Sequence, residues 1–137
     1  MAKIGALQVD TLNIVPSAIT TVTVGNPIGV SNPAAQPIEI HGTCTIQYQG
    51  VASGSTGSAT YRIRRNRDNA ILFEETYGFS GASGGAALVN ASILDDQATA
   101  SETYRVEEVP SYSPGTPGGT GGLTMMSSPL YCIAVKK

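Results

Sequence analysis

The sequence predicts an all-β fold: an antiparallel β-sandwich, jelly-roll-like, with a short N-terminal arm. Three observations predict it. Ile38, Ile40, Cys44, Ile46 and Tyr48 alternate with Glu39, His41, Thr43, Thr45, Gln47 and Gln49 over a dozen positions. That is the period of two required of a strand with one wet face. Sixteen Gly and eight Pro in 137 residues exceed ordinary usage and punctuate the chain at short intervals. Helical periodicity is weak throughout, and only residues 2–14, with Ile4, Leu7 and Leu12 on one side, could hold a short helix.

Taken in order, residues 19–24 read as a strand, and turns follow at Gly25-Asn26-Pro27 and Ser31-Asn32-Pro33. Residues 37–49 are the strongest strand, and Gly42 interrupts its apolar set as a bulge or bend would. Residues 50–58 form a flexible small-residue loop. Residues 59–65 and 70–77 make a hairpin turning through Asn66-Arg67-Asp68-Asn69. Tyr61 and Ile63 face one side of it, continued by Ile71 and Phe73, and Arg62 and Arg64 face the other. A second Gly/Ser loop spans 78–85. Residues 86–94 are a strand ended by Asp95-Asp96-Gln97, and 101–109 alternate Tyr104 and Val106 with Arg105 and Glu107. Residues 110–122 hold three Pro and five Gly and read as one long exposed loop. The last strand runs over about 123–136. Seven or eight strands in one domain, with no internal repeat, suit a chain of this length.

Charge and composition exclude several classes of function. Eight basic and ten acidic residues give a net charge of −2, with 13% charged residues. That argues against a nucleic-acid binder working through a basic surface. The 41% hydrophobic content argues against a disordered acidic tail. No apolar run approaches the roughly 18 residues that span a bilayer, so no membrane insertion is expected. The first ten residues carry one Lys and no long apolar stretch, so they are read as no signal peptide, and synthesis in a cytosol is expected. Cys44 and Cys132 lie far apart, with neither a CxxC spacing nor clustered His, which argues against zinc. They read as small buried reduced thiols, and sequence leaves a disulfide between them open.

No catalytic constellation can be assembled, so no enzyme activity, cofactor or metal is expected. His41, the single histidine, sits on the polar face of its strand between Glu39 and Thr43. Asp95-Asp96 lack a surrounding DxDxDG pattern and read as turn carboxylates. Glu74-Glu75 and Glu107-Glu108 are adjacent strand residues that point to opposite faces. No Ser lies in a GxSxG elbow, and the Gly-rich loops lack the Lys and helix of a phosphate cradle. The one charge cluster is Arg62-Arg64-Arg65-Arg67. Arg62 and Arg64 are expected to meet Glu74 or Asp68 across the hairpin, the alternative being an anionic partner. The loops 50–58, 78–85 and 110–122 are the candidate binding segments, with Tyr112 expected to be exposed and Tyr77 and Phe79 next.

One stretch has a family resemblance. Ile4-Gly5-Ala6-Leu7-Gln8-Val9-Asp10-Thr11-Leu12-Asn13-Ile14, followed by Ala18-Ile19-Thr20, resembles a phrase in tail-tip and central tail fibre (host-specificity) proteins of long-tailed bacteriophages. There the phrase precedes a small β-rich domain at the fibre end. Pro37-Ile38-Glu39-Ile40-His41 and Tyr61-Arg62-Ile63-Arg64-Arg65-Asn66 look like a strand and a hairpin of that domain. Ile93-Leu94-Asp95 with Glu102-Thr103-Tyr104-Arg105-Val106 is similar to a phage jelly-roll phrase, although Gln97 and Ala98 stand where Pro is common and the usual Gly is missing.

The resemblance implies a bacteriophage virion structural protein, a tail tip or tail fibre subunit. It implies a homotrimer assembled in the host cytoplasm, contacting other phage tail proteins and a host-surface glycan or protein, without catalysis. Family members are large, whereas here the phrase opens the chain, so a separate small subunit is expected. Residues 1–18 would be a docking or trimerisation arm and 19–137 the β-sandwich. Ile4, Leu7, Val9, Leu12 and Ile14 cannot all be buried by so short an arm alone, so a partner surface is expected. A capsid decoration (cement) protein and a carbohydrate-binding module are the alternatives.

Overall fold

A computed structural model gives the fold of residues 11–14, as backbone, and of 21–135. Nine strands are present among the described residues: β1 (Thr11–Ile14), β2 (Val22–Ser31), β3 (Ile38–Gln49), β4 (Thr56–Arg65), β5 (Ala70–Ser80), β6 (Gly84–Asp95), β7 (Ser101–Ser113), β8 (Gly122–Ser127) and β9 (Tyr131–Ala134). One sheet has the order β1-β8-β3-β6, with β9 also paired to β3; the other has the order β2-β7-β4-β5. Strand 1 therefore pairs with 8, 2 with 7, 3 with 6 and 4 with 5, all antiparallel. This nested pairing, split over two sheets, is a jelly roll.

The alternation in β3 sets the core. Ile38, Ile40, Cys44, Ile46 and Tyr48 are buried, and they face Ala59, Tyr61, Ile63, Tyr104 and Val106 of the other sheet. Burying each large side chain contributes roughly 1.5–3 kcal/mol. Gly42 makes no bulge, because β3–β6 pairing runs unbroken through Gly42↔Ala91. What it provides is space: a Cβ there would collide with the Tyr61 hydroxyl and lie 2.8 Å from Leu130 Cδ2.

Several expected boundaries move. Thr11–Ile14 is strand, where a helix over 2–14 was the only helical expectation; the rest of that segment, and the arm residues Ile4, Leu7 and Val9, lie outside the described residues. Leu12 stands opposite Met125 and Ile14 opposite Leu123. Gly25-Asn26-Pro27 is no turn between elements. It is a bulge within β2, where the register shifts between Val24 and Ile28 and Gly25 takes φ 68°.

The 78–85 loop contracts to 81–83, because β5 runs on to Ser80 and β6 begins at Gly84. Likewise β7 continues through Pro110 to Ser113. Pro110 is tolerated because the described pairing with β2 ends at Val22↔Glu108, leaving only Ala59 of β4 beside it. The expected final strand breaks at 128–130 into β8 and β9, which share one side of β3. Ile71 does not continue the apolar face: an irregularity between Ile63 and Arg64 places it opposite Arg64, and it is 48% exposed.

Candidate functional site

The three small-residue loops converge on one end of the sandwich. There β3 ends, β4 begins, β5 turns into β6, and β7 leads into β8. Ser55 knits them together. Its hydroxyl accepts from the Val51 and Ala52 amides at 3.0 Å each and donates to the Pro114 carbonyl at 2.6 Å. Its carbonyl accepts from the Gly81 amide at 2.9 Å, and the Gly50 amide donates to the Ser83 carbonyl at 3.3 Å. Gly54 and Gly115 approach so closely that a Cβ on Gly115, which has φ +77°, would strike the Gly54 backbone. Loops of this composition are costly to order, and here buried hydrogen bonds hold them.

Aromatic residues form the floor beneath the loops. Phe79 stacks on Tyr48 with ring centroids 5.3 Å apart, and the Tyr112 ring lies 6.0 Å from Tyr48, tilted by 59°. The Tyr48 hydroxyl donates to the Gly81 carbonyl at 2.8 Å, and that of Tyr112 donates to the Thr120 carbonyl at 2.7 Å. Tyr112, expected to be exposed, is 6% exposed. The extension of β7 carries it onto the core face, and its ring holds the third loop from below. Tyr77 and Phe79 lie in β5 rather than in a loop, and both are half-buried. The Tyr77 hydroxyl donates to Glu75 at 3.0 Å.

Beside the loops an open trough of about 550 Å³ crosses the outer face of the β1-β8-β3-β6 sheet. Its form follows from register. Gln49 is flanked by Gly84 and Gly122, and Gln47 by Ala86 and Thr124. Glycine on both sides of Gln49, and the small Ala86 beside Gln47, leave the two amides lining a depression. Gln47 and Gln49 were legible only as polar-face residues. The Gly84-Gly85 and Gly121-Gly122 pairs were the signal, but register alone brings them to either side of β3.

The charged residues gather elsewhere. Arg62 donates to Glu74 at 2.6 Å and to Glu107 at 3.3 Å; Arg64 donates to Glu107 at 2.7 Å and to the Asn69 carbonyl. The expected pairing with Glu74 is therefore present, and Glu107 is the partner that sequence missed. Asp68 instead accepts two bonds from Arg65 at 3.0 and 2.7 Å, which hold its carboxyl well below the usual range. At the end opposite the loops, buried Arg65 donates to buried Asp95 at 2.6 Å. The Tyr104 hydroxyl donates to the same carboxylate at 2.7 Å. Asp95, read as a turn carboxylate, does accept from the Gln97 amide at 3.1 Å, and it is also a buried ion-pair anchor.

Glu107 and Glu108 do point to opposite faces. Glu108 enters the core beside its cross-strand partner Tyr61. Ser127 donates to Glu108 Oε1 at 2.7 Å, while Oε2 and the Tyr61 hydroxyl find no partner among the described residues. Burial pushes the Glu108 carboxyl up to about 7. Cys44 and Cys132 are free thiols, and burial raises both to about 11. His41 lies 3.5 Å from Glu39 on the outer face. Among the described residues no group of three or more His, Cys, Asp or Glu could hold a metal ion, and no helix is long and apolar enough to cross a membrane.

No family model matches the chain, and no curated protein matches it. Solved structures of partial similarity include infectious bursal disease virus, Gt strain, with 16% identity and a TM-score of 0.48 over 90% of this chain and 30% of that one. The T13 particle of the same virus has 15% identity and a TM-score of 0.49 over 93% and 29%. An arabinose-bound α-L-arabinofuranosidase has 15% identity and a TM-score of 0.36 over 86% and 18%. The chain spans less than a third of the length of each.

Proposed function

We propose that this chain is a structural, non-catalytic subunit of a bacteriophage virion, a tail tip or tail fibre component whose loop end faces the host surface. A jelly roll serves capsid, lectin and cupin proteins alike, so the fold does not select this reading. One observation carries it: the loop cluster and the point where the chain enters β1 lie at opposite ends of the sandwich. Residues 50–55, 81–83 and 114–121 gather at one end with the trough beside them. The chain enters β1 at Thr11, opposite Met126, and runs toward that end to Ile14, opposite Leu123. The phage-like phrase, Ile4 to Ile14 with Ala18 to Thr20, runs through β1 itself, and the chain enters that strand at Thr11 on the side away from the loops. That arrangement suits a subunit anchored by its N-terminal segment, as a homotrimer on other tail proteins, with its loops presented outward to a glycan or protein.

Particles labelled with an antibody to this protein and viewed by negative-stain electron microscopy test the reading. Label at the tail end is expected. Label spread over the head would overturn the tail assignment and indicate capsid decoration. A chain lacking residues 1–10 should keep its β circular dichroism yet fail to enter particles; normal incorporation would remove the anchoring role.

A further inference from the structure

The two edges of the β1-β8-β3-β6 sheet are complementary to one another. One edge is β6, twelve residues paired among the described residues to β3 alone. From Gly84 to Leu94 it carries no charge and no proline, and Leu88 and Leu94 are 63% and 56% exposed. Such a strand presents a row of outward amides and carbonyls, of which the Leu88 carbonyl accepts from the Tyr77 hydroxyl at 3.5 Å, and natural edges of this kind are ordinarily blunted by lysine, proline or a bulge. Nothing of that sort is present on β6, and its pairing with β3 is free of register shifts. The other sheet differs, because its β5 edge carries Glu74 and Glu75.

The opposite edge is β1, Thr-Leu-Asn-Ile, also uncharged and paired among the described residues only to β8. Strand directions alternate across the sheet, so β1 and β6 run in opposite directions. A second copy placed beside the first, β1 against β6, therefore continues the antiparallel alternation without a break.

From this juxtaposition we propose that β6 of one copy receives the β1 edge of a second copy, so that the sheet runs on from subunit to subunit. The occupant is a copy of this chain because, among the described residues, β1 pairs only with β8 and β6 only with β3, and one head-to-tail contact fills both edges. A two-fold β6–β6 contact would leave β1 unpaired. Heterologous contacts of this kind close into rings when the rotation per subunit permits. The inference goes beyond the virion reading and does not depend on it.

The test is the solution mass of the full chain by light scattering. The wild type is expected as a closed oligomer of three or more copies. Leu88→Lys and Asn90→Lys, both on the exposed face of β6, are expected to give monomers with unchanged circular dichroism. A wild-type chain that stays monomeric, or an oligomer that survives both substitutions, overturns the proposal. Cross-linking then tests direction in a Cys132→Ser background. Asn13 lies level with Ala86 across the sheet, so mixed Asn13→Cys and Ala86→Cys chains are expected to form the mixed disulfide, with little product from Asn90→Cys alone. Predominant Asn90→Cys homodimers would show the two-fold contact and overturn the head-to-tail arrangement.

Discussion

The hydroxyl of Ser55 donates to the carbonyl of Pro114 at 2.6 Å, joining two loops 59 positions apart in sequence. Ser55 is fully buried, and its hydroxyl also satisfies the Val51 and Ala52 amides. Replacement by Ala leaves those groups unpaired, at a cost of about 1–3 kcal/mol. Ser55→Ala is expected to lower the urea midpoint and to speed amide exchange in both 50–55 and 114–121. Exchange that changes in only the first of these would show that the tie to the third loop carries no energy.

Gly115 and Gly118 both have positive φ, but only Gly115 abuts the Gly54 backbone. Gly118→Ala is expected to cost about 1 kcal/mol for the left-handed conformation alone. Gly115→Ala adds a backbone collision and should cost distinctly more, and it should also impair any host-surface binding assigned to the loop end. Thermal melts of the two variants side by side measure the difference.

The pair Tyr61 and Glu108 predicts an unusual pH dependence. Burial raises the Glu108 carboxyl from an ordinary value near 4.5 to about 7. The folded state then holds a proton that the unfolded chain releases. Its contribution is complete below about pH 4.5 and is lost as pH rises toward 7. Asp68 and Glu107 act in the opposite sense: their lowered values stabilise the fold above the ordinary carboxylate range, and that is lost on acidification. Stability is therefore expected to fall between pH 5 and pH 8. Glu108→Gln should flatten that limb and stabilise the protein at pH 8 by on the order of a few kcal/mol. Urea titrations of both proteins at the two pH values check it.

The Arg65–Asp95 pair is buried at the end away from the loops, with side-chain exposures of 5% and 2%. Asp95→Asn removes the charge facing Arg65 and weakens the acceptor of the Tyr104 hydroxyl. Arg65 keeps its two bonds to Asp68 and lies 3.8 Å from Glu102, so its charge is not stranded, and a loss of about 1–3 kcal/mol is expected. Chemical denaturation measures it; a loss of about 3–5 kcal/mol would show that Asp68 and Glu102 do not compensate.

Gly42 and Tyr61 form a further pair whose test is one of packing. Gly42→Ala is expected to destabilise the fold, because its Cβ meets the Tyr61 hydroxyl and Leu130. Tyr61→Phe removes a hydroxyl without a partner among the described residues and is expected to be near neutral or stabilising. The combined variant should be less destabilised than the sum of the two, a coupling that chemical denaturation would resolve.

The sequence by itself determined the fold class, the core face of β3, the inward direction of Tyr61 and Ile63, and the Arg62–Glu74 contact. Each of these is local, set by a period of two or by a short hairpin. Strand ends were less legible, because Pro110 and Gly25-Asn26-Pro27 normally stop a strand, and whether they do depends on which neighbours pair there. Tertiary structure alone decided the rest. Residues 50–55, 81–83 and 114–121 became one site because the nested pairing brings three distant strand ends together. Tyr112 became a floor residue because β7 runs past its proline, and Gln47 and Gln49 line a trough because register sets Gly84 and Gly122 on either side of Gln49. Asp95 meets Arg65, and Glu108 meets Ser127, by the same long-range packing. Periodicity along a chain encodes which way a side chain points; what it then meets is set by strands far away in sequence.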